Sequence, residues 1–138
     1  MPRVSSSDYR ALGAFRYEIR KFLAFSEQAA REAGIQPQQH QLLLAVRGLP
    51  EGARPTIRTI AERLCVKHHT AVALIDALER QGLLNRERSS TDRREVLLAL
   101  TPKGDTVLLR LSALHRDQLR NVGPVMVSAL QSILDGHV

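Results

Sequence analysis

The chain is poor in cysteine and aromatic residues and has no long apolar run. One cysteine, Cys65, stands in 138 residues, which excludes an internal disulfide framework. The apolar runs are a few residues long, whereas a membrane helix needs about 20, and the opening residues MPRVSSSDYR lack the apolar segment of a secretory signal. We therefore expect a cytoplasmic protein that folds as one domain over residues 1–138.

Motifs of the common enzyme classes are also missing. The sequence contains no Gly-x-Ser-x-Gly, no glycine-rich loop of the kind that cradles phosphates, and no pair of carboxylates expected to converge in a cleft. We therefore expect neither an enzyme nor a cofactor.

Positive charge is abundant, and most of it is arginine. Lys and Arg number 20 against 14 Asp and Glu, a net charge of +6, and 17 of the 20 cations are Arg. The planar guanidinium donates two parallel hydrogen bonds, which suits phosphates and base edges. This composition favours a nucleic-acid partner over an anionic membrane surface, and a merely basic protein is the alternative.

Long amphipathic helices are predicted at both ends of the chain. The first covers residues 7–34, with Ser7 or Asp8 as its cap and Gly34 at its end. The second region, 102–136, begins after Thr101, and Gly123-Pro124 is expected to break it into two helices. Because the central segment is too small to cover all these apolar stripes, we expect the terminal helices to form a symmetric dimer.

The centre of the chain has the pattern of a helix-turn-helix. Pro37 fits the first turn of one helix, TIRTIAERL follows as a short helix capped by Thr56 or Thr59, and HHTAVALIDALERQGLL predicts another that ends at Gly82. A short turn joins the last two helices, as in a helix-turn-helix. The second helix is predicted to bury a stripe formed by Ala71, Leu74, Ile75 and Leu78. Its outer face is predicted to carry His69, Thr70, Val72, Ala73, Asp76 and Arg80.

A β-hairpin with a charged tip follows these helices. Residues 84–88 and 95–100 read as strands separated by SSTDRR. A hairpin directly after a helix-turn-helix makes a winged helix, here over residues 35–101. The predicted fold is mainly α with one small hairpin, a winged helix-turn-helix between N- and C-terminal dimerisation helices.

These motifs resemble the MarR (multiple antibiotic resistance) family of regulators. The resemblance runs from about Gly34 to Gly104 and rests on LERQGLLNRE, the wing DRR and Leu-Thr-x-x-Gly at 100–104. It implies a homodimeric winged-helix transcription factor, usually a repressor, that binds a pseudo-palindromic operator and often releases it when a small phenolic or lipophilic effector binds. Lys67 departs from the Ser or Thr common in the family, and so removes a side-chain helix cap.

Charge is concentrated around the predicted helix-turn-helix. Between Arg54 and Arg94 there are nine cations and five acids, which gives +4 of the total +6. We expect the recognition helix to enter the major groove of double-stranded DNA with His68, His69, Val72 and Ala73 toward base edges and with Lys67 and Thr70 on phosphates. The full predicted set of DNA contacts is Lys67, His68, His69, Thr70, Val72, Ala73, Arg80, Arg86, Arg93 and Arg94.

Two different roles are predicted for the arginines of the wing. Arg93 is expected to enter a minor groove, where narrow A·T-rich tracts strengthen the negative potential. Asp92 and Arg94 are two residues apart in a turn, and we expect them to form an ion pair that shapes the tip. A solvated loop without a partner is the alternative.

Cys65 and the two histidines after it allow a metal interpretation, which the spacing disfavours. Neighbouring helical residues point about 100° apart, and zinc needs three or four ligands, so we predict no metal. Cys65 between Leu64 and Val66 is expected to be a buried thiol. Protonation of His68 or His69 is expected to tune DNA affinity.

The sequence leaves two alternatives open, one for the effector site and one for the partner of the winged helix. Phe15, Tyr17, His40 and Arg47 are candidates to line a cleft between the terminal helices and the winged helix, but ordinary core packing explains each one as well. A winged helix that binds only proteins is the alternative function, and a weak dependence of duplex affinity on salt would distinguish it.

Overall fold

A computed structural model describes residues 1–136 and confirms a mainly helical fold with one hairpin. Two compact units divide the chain: residues 1–29 join those from 112 onward, and residues 30–111 form the second unit. None of the helices described is long and apolar enough to cross a membrane. The elements are α1 (Ser6–Glu32), α2 (Pro37–Arg47), α3 (Ile57–Leu64), α4 (His68–Arg80), β1 (Leu84–Arg88), β2 (Val96–Leu100) and α5 (Pro102–Leu134).

Helix α1 begins one turn earlier than its predicted caps. Ser5 Oγ accepts a hydrogen bond from the backbone N–H of Asp8 at 3.1 Å, and Asp8 Oδ2 accepts from the N–H of Ser5 at 2.8 Å. This reciprocal pair is a capping box, which satisfies two donors at the helix start. The predicted cap at Ser7 or Asp8 is therefore wrong, because Asp8 is the third helical residue and Ser5 is the cap.

In the unit formed by the chain ends, α1 packs on the C-terminal part of α5 around one histidine. The ring of His115 meets the rings of Phe22 and Phe25 edge-on, with centroids 5.8 and 5.4 Å apart. Its Nε2 lies 2.8 Å from Oγ of Ser26, which is buried. The two helices thus share aromatic packing and a hydrogen bond.

Helix α5 continues through Gly123-Pro124, so the predicted break there is wrong. Pro124 stands inside a helix of 33 residues. Proline removes one backbone hydrogen bond and crowds the residue before it. Because Gly123 has no Cβ, the crowding that proline imposes on the residue before it is reduced, so the helix tolerates Pro124.

The core of the unit spanning residues 30–111 brings α2, α3, α4 and the hairpin together. Its members come from the apolar stripes that the sequence predicted for these helices and strands. Residues with 0% exposed surface in this unit are Ala30, Leu42, Leu43, Ile60, Ala71, Ile75, Leu78 and Leu84.

The hairpin joins this core through both of its strands. Its register pairs Leu84 with Leu100 and Arg86 with Leu98. The N–H of Leu98 also donates to the carbonyl of Pro55 at 2.8 Å, and Thr56 forms an isolated bridge with Leu97. The segment before α3 therefore supports β2 from its other edge.

Candidate nucleic-acid interface

Helix α4 buries one face and presents the other. Ala71, Ile75 and Leu78 are fully buried at positions i, i+4 and i+7, as the sequence predicted. On the opposite side His69, Ala73 and Arg80 are exposed, while Thr70, Val72 and Asp76 are half-buried. Most of the exposed side is small or polar, so the helix can approach another surface closely.

The N-terminus of α4 is open and positively charged. Lys67 is the N-cap residue and makes no side-chain cap hydrogen bond, as expected from the loss of Ser or Thr. His68 and His69 follow in the first turn, and both are exposed. Uncapped backbone N–H groups and the helix dipole make such an end favourable for an anion.

The turn between α3 and α4 is tight, and it exposes its cysteine. Cys65 has φ 57° and ψ 41°, a left-handed conformation that ends α3, and its N–H donates to the carbonyl of Glu62. Cys65 is exposed. The prediction of a buried thiol is therefore wrong, because apolar neighbours in the chain do not enclose a side chain at a left-handed turn.

The tip of the hairpin, residues 89–94, is shaped by hydrogen bonds to its backbone. Asp92 Oδ1 accepts from the N–H of Arg94 at 2.9 Å, and Arg88 donates to the carbonyl of Arg93 at 2.7 Å. Asp92 thus contacts Arg94 through the backbone N–H of Arg94, whereas the predicted contact was an ion pair between the two side chains. No side-chain ion pair joins these two in the part of the chain described, and both Arg93 and Arg94 are exposed.

A group of hydrogen bonds that could not be predicted from the sequence anchors the base of the hairpin. Ser89 is buried, and its hydroxyl oxygen accepts from Arg54 Nη2 at 2.9 Å and from the N–H of Thr91 at 3.2 Å. Arg54 Nε also donates to Glu95 Oε1 at 2.9 Å. Arg54 comes from the loop before α3, 41 residues from Glu95. No local spacing in the sequence signals such a pair, so only the tertiary structure reveals it.

Arg86, predicted from the sequence to contact DNA, does not present a free guanidinium. Its Nη2 lies 2.6 Å from Asp76 Oδ1, and its Nη1 donates to Glu79 Oε1. The hydrogen bond with Asp76 and the charge of Glu79 raise the pKa of Arg86 despite its partial burial. The guanidinium is therefore committed to two carboxylates of α4.

The remaining cations of the segment leave a basic surface. Of the nine between Arg54 and Arg94, three pair with carboxylates: Arg54, Arg58 and Arg86. The other six lie at the end of α3, in the turn after it, on α4 and in the hairpin, and none has a carboxylate partner within residues 1–136. They are Arg63, Lys67, Arg80, Arg88, Arg93 and Arg94.

The four candidates for an effector site fall in both units. Phe15 is half-buried on α1 and Tyr17 is exposed there, with the ammonium of Lys21 4.6 Å from its ring centroid. His40 on α2 is buried, and Arg47 at the end of α2 lies 3.5 Å from Asp105. Within each unit these residues therefore have packing or ion-pair roles.

Residues of the types that bind metals were also compared in position. Across residues 1–136, no three His, Cys, Asp or Glu side chains converge as a metal site requires.

Comparison with known proteins gives a family for this fold. The model of the MarR family matches residues 33–95. An HTH-type transcriptional regulator of Bacillus subtilis, YkoM, is 32% identical over 111 residues, which cover 77% of this chain and 69% of that protein.

Solved structures extend the likeness beyond the winged helix. The MarR family transcription regulator SP03579 superposes with a TM-score of 0.75 at 21% identity, over 91% of this chain and 84% of that one. The transcriptional repressor CouR, solved with a 23-mer DNA duplex, gives 0.68 at 28% identity over 97% and 99%. With the winged helix and the Leu-Thr-x-x-Gly motif in place, the chain belongs to the MarR family of transcriptional regulators.

Proposed function

We propose that this protein is a repressor that binds a pseudo-palindromic DNA operator as a homodimer. The observation that carries the proposal is the set of six cations without carboxylate partners around an exposed helix face of small and polar residues. Phosphate neutralisation by Lys and Arg supplies most of the sequence-independent affinity for DNA. The relative CouR, a repressor solved on a DNA duplex, supports the same use of the fold.

Helix α4 is the element proposed for the major groove. His68, His69 and Ala73 are exposed on it, and Val72 is half-exposed beside them, so these four side chains face base edges. Lys67 at the N-cap and Thr70 in the first turn serve phosphates, together with the uncapped N–H groups of the helix start.

The wing is proposed to reach the flanking minor groove. Arg93 stands at the exposed tip, and its carbonyl is held by Arg88, which fixes the backbone while leaving the Arg93 guanidinium free. Arg94, fixed by its N–H to Asp92, is placed to contact the adjacent phosphates.

Dimerisation is proposed through the unit that contains α1 and the C-terminal part of α5. Large apolar side chains remain exposed on both helices of the single chain, which is unusual unless a partner covers them. The most exposed are Tyr9, Tyr17, Val125, Val127 and Leu134, each more than half accessible. A second copy would bury them about a two-fold axis and space two winged helices for a palindromic site.

Release of DNA by a small phenolic or lipophilic effector is the remaining part of the proposal. Its support is the family membership. Phe15, Tyr17, His40 and Arg47 stay the residues proposed to line that site. We expect such a compound to lower the operator affinity of wild type. The single variants Phe15→Ala and His40→Ala should keep their operator affinity when the compound is added.

Selection of bound duplexes from a random pool by the purified protein tests the function. We expect a palindrome with half-sites about one helical turn apart, whose affinity falls steeply with salt. If no sequence is enriched and duplex affinity varies little with salt, the protein-interaction alternative replaces the proposal.

A further inference from the structure

Arg86 links the hairpin to the recognition helix by two carboxylates on one helix face. Asp76 and Glu79 are three residues apart on α4, so their side chains lie on the same face. The guanidinium places one nitrogen on each of them, Nη2 on Asp76 and Nη1 on Glu79. A lysine has one ammonium in place of this fork and cannot reproduce the geometry.

The strand register explains why Arg86 faces the helix. Residues opposite each other in an antiparallel pair have their side chains on the same face of the sheet. Arg86 is opposite Leu98, which is buried, and is thus on the inner face, whereas its neighbour Glu87 is exposed on the other. The hairpin directs this one arginine toward α4 and away from solvent.

The cluster also changes the charge of the helix proposed for the major groove. Asp76 and Glu79 retain 45% and 34% of their side-chain exposure, so both carboxylates remain within reach of solvent. Without Arg86 as a partner, the two carboxylates would repel DNA phosphates near Arg80. With Arg86 between them, the cluster has a formal charge of −1 in place of −2.

We propose that Arg86 is a positioning residue, which fixes the wing relative to the recognition helix through Asp76 and Glu79 and does not itself contact DNA. The inference rests on the proposed DNA-binding function. It assigns to DNA the cations proposed above for its phosphates and grooves, and it assigns Arg86, paired with two carboxylates, to the geometry between the wing and α4. The exposed ion pairs contribute little to global stability, whereas the placement of Arg93 relative to α4 depends on them.

Asp76→Ala separates positioning from simple charge, because the two effects have opposite signs. Removal of an acid near DNA normally strengthens binding, but loss of the Arg86 tether weakens it. We expect operator affinity to fall about tenfold, the usual effect of losing one hydrogen bond to a charged group. Glu87→Ala, the matched control on the opposite face of β1, keeps or raises affinity. An increase for Asp76→Ala overturns the proposal.

Arg86→Gln tests whether the arginine meets phosphate. Each phosphate contact adds about 0.9 to the slope of log affinity against log salt concentration. We expect Arg86→Gln to lower affinity with the slope unchanged, and the control Arg80→Gln to reduce the slope by about 0.9. Unchanged affinity for Arg86→Gln, or a slope that falls as in Arg80→Gln, contradicts a positioning role.

Amide hydrogen exchange measures the tether without DNA, and so separates its failure from failure of the proposed function. In Asp76→Ala we expect faster exchange at residues 84–88 while α1 is unaffected, because local opening follows the loss of tertiary contacts. Glu87→Ala should exchange as wild type. Unchanged exchange in Asp76→Ala overturns the tether, whether or not the wild type selects an operator.

Discussion

Gly104 lies against the carbonyl oxygen of Leu83, and a Cβ at position 104 would overlap that oxygen. The same carbonyl accepts a hydrogen bond from the N–H of Thr101 at 3.1 Å, and Thr101 Oγ1 donates to the carbonyl of Gly82 at 2.6 Å. The start of α5 is thereby seated on the turn that ends α4. This contact is the physical reason for the glycine of Leu-Thr-x-x-Gly.

Gly104→Ala should destabilise the protein, although alanine is the better helix former. The overlap is with backbone, which cannot rotate away, and overpacking of this kind costs about 1–3 kcal/mol. The helix propensity of Ala returns only ~1 kcal/mol. We therefore expect urea titration to show a lower free energy of unfolding for Gly104→Ala than for wild type. The control Gly13→Ala, in α1 with no atom near its added Cβ, should be neutral or stabilising; equal effects at both sites would refute the overlap.

Pro124→Ala should stabilise the protein, because α5 passes through this position without a break. Alanine restores the N–H that proline lacks, and a proline in a helix interior costs about 3 kcal/mol relative to alanine. Since Gly123 already relieves part of the crowding, we expect a gain of ~1–2 kcal/mol in unfolding free energy. The control Pro37→Ala, at the first position of α2 where no hydrogen bond is lost, should gain nothing. A lower melting temperature for Pro124→Ala would contradict a continuous helix.

The order and type of the elements could be predicted from the sequence, since local patterns encode them. The stripe Ala71, Ile75 and Leu78 gave the buried face of α4, and Gly82 gave its end. The Gly123-Pro124 break was wrong because a breaker signal says nothing about how a long helix absorbs one lost hydrogen bond.

The assignment of charged residues could be predicted only in part. Arg86 and Arg80 look alike in sequence, and only the fold shows that one meets Asp76 and Glu79 while the other has no carboxylate partner in residues 1–136. The pairing of Arg54 with Glu95 likewise depends on contacts distant in sequence. The density of cations in the sequence therefore predicts a basic surface, whereas the role of each arginine can be assigned only from the tertiary structure.

Arg93→Ala should weaken operator binding and reduce its salt dependence. A guanidinium in a narrow minor groove neutralises phosphate charge, so we expect the salt slope to fall by about 0.9. The preference for A·T-rich flanks should also weaken. Arg116→Ala, on the exposed surface of α5, is the control for loss of one positive charge. Equal affinities and slopes for wild type and Arg93→Ala in duplex titrations would remove the minor-groove role.

Operator affinity should rise as the pH falls from about 8 to about 6, the range in which histidine gains its charge. His68 and His69 are exposed at the uncapped start of α4, where positive charge attracts phosphate. A charged imidazole attracts phosphate and a neutral one does not, so we expect lower pH to strengthen the complex. His68→Gln with His69→Gln should flatten this dependence in duplex titrations at constant ionic strength. Lys67→Gln lowers affinity but keeps both imidazoles, so its affinity should still vary with pH. If the double histidine variant shows the same variation of affinity with pH as wild type, another group is responsible.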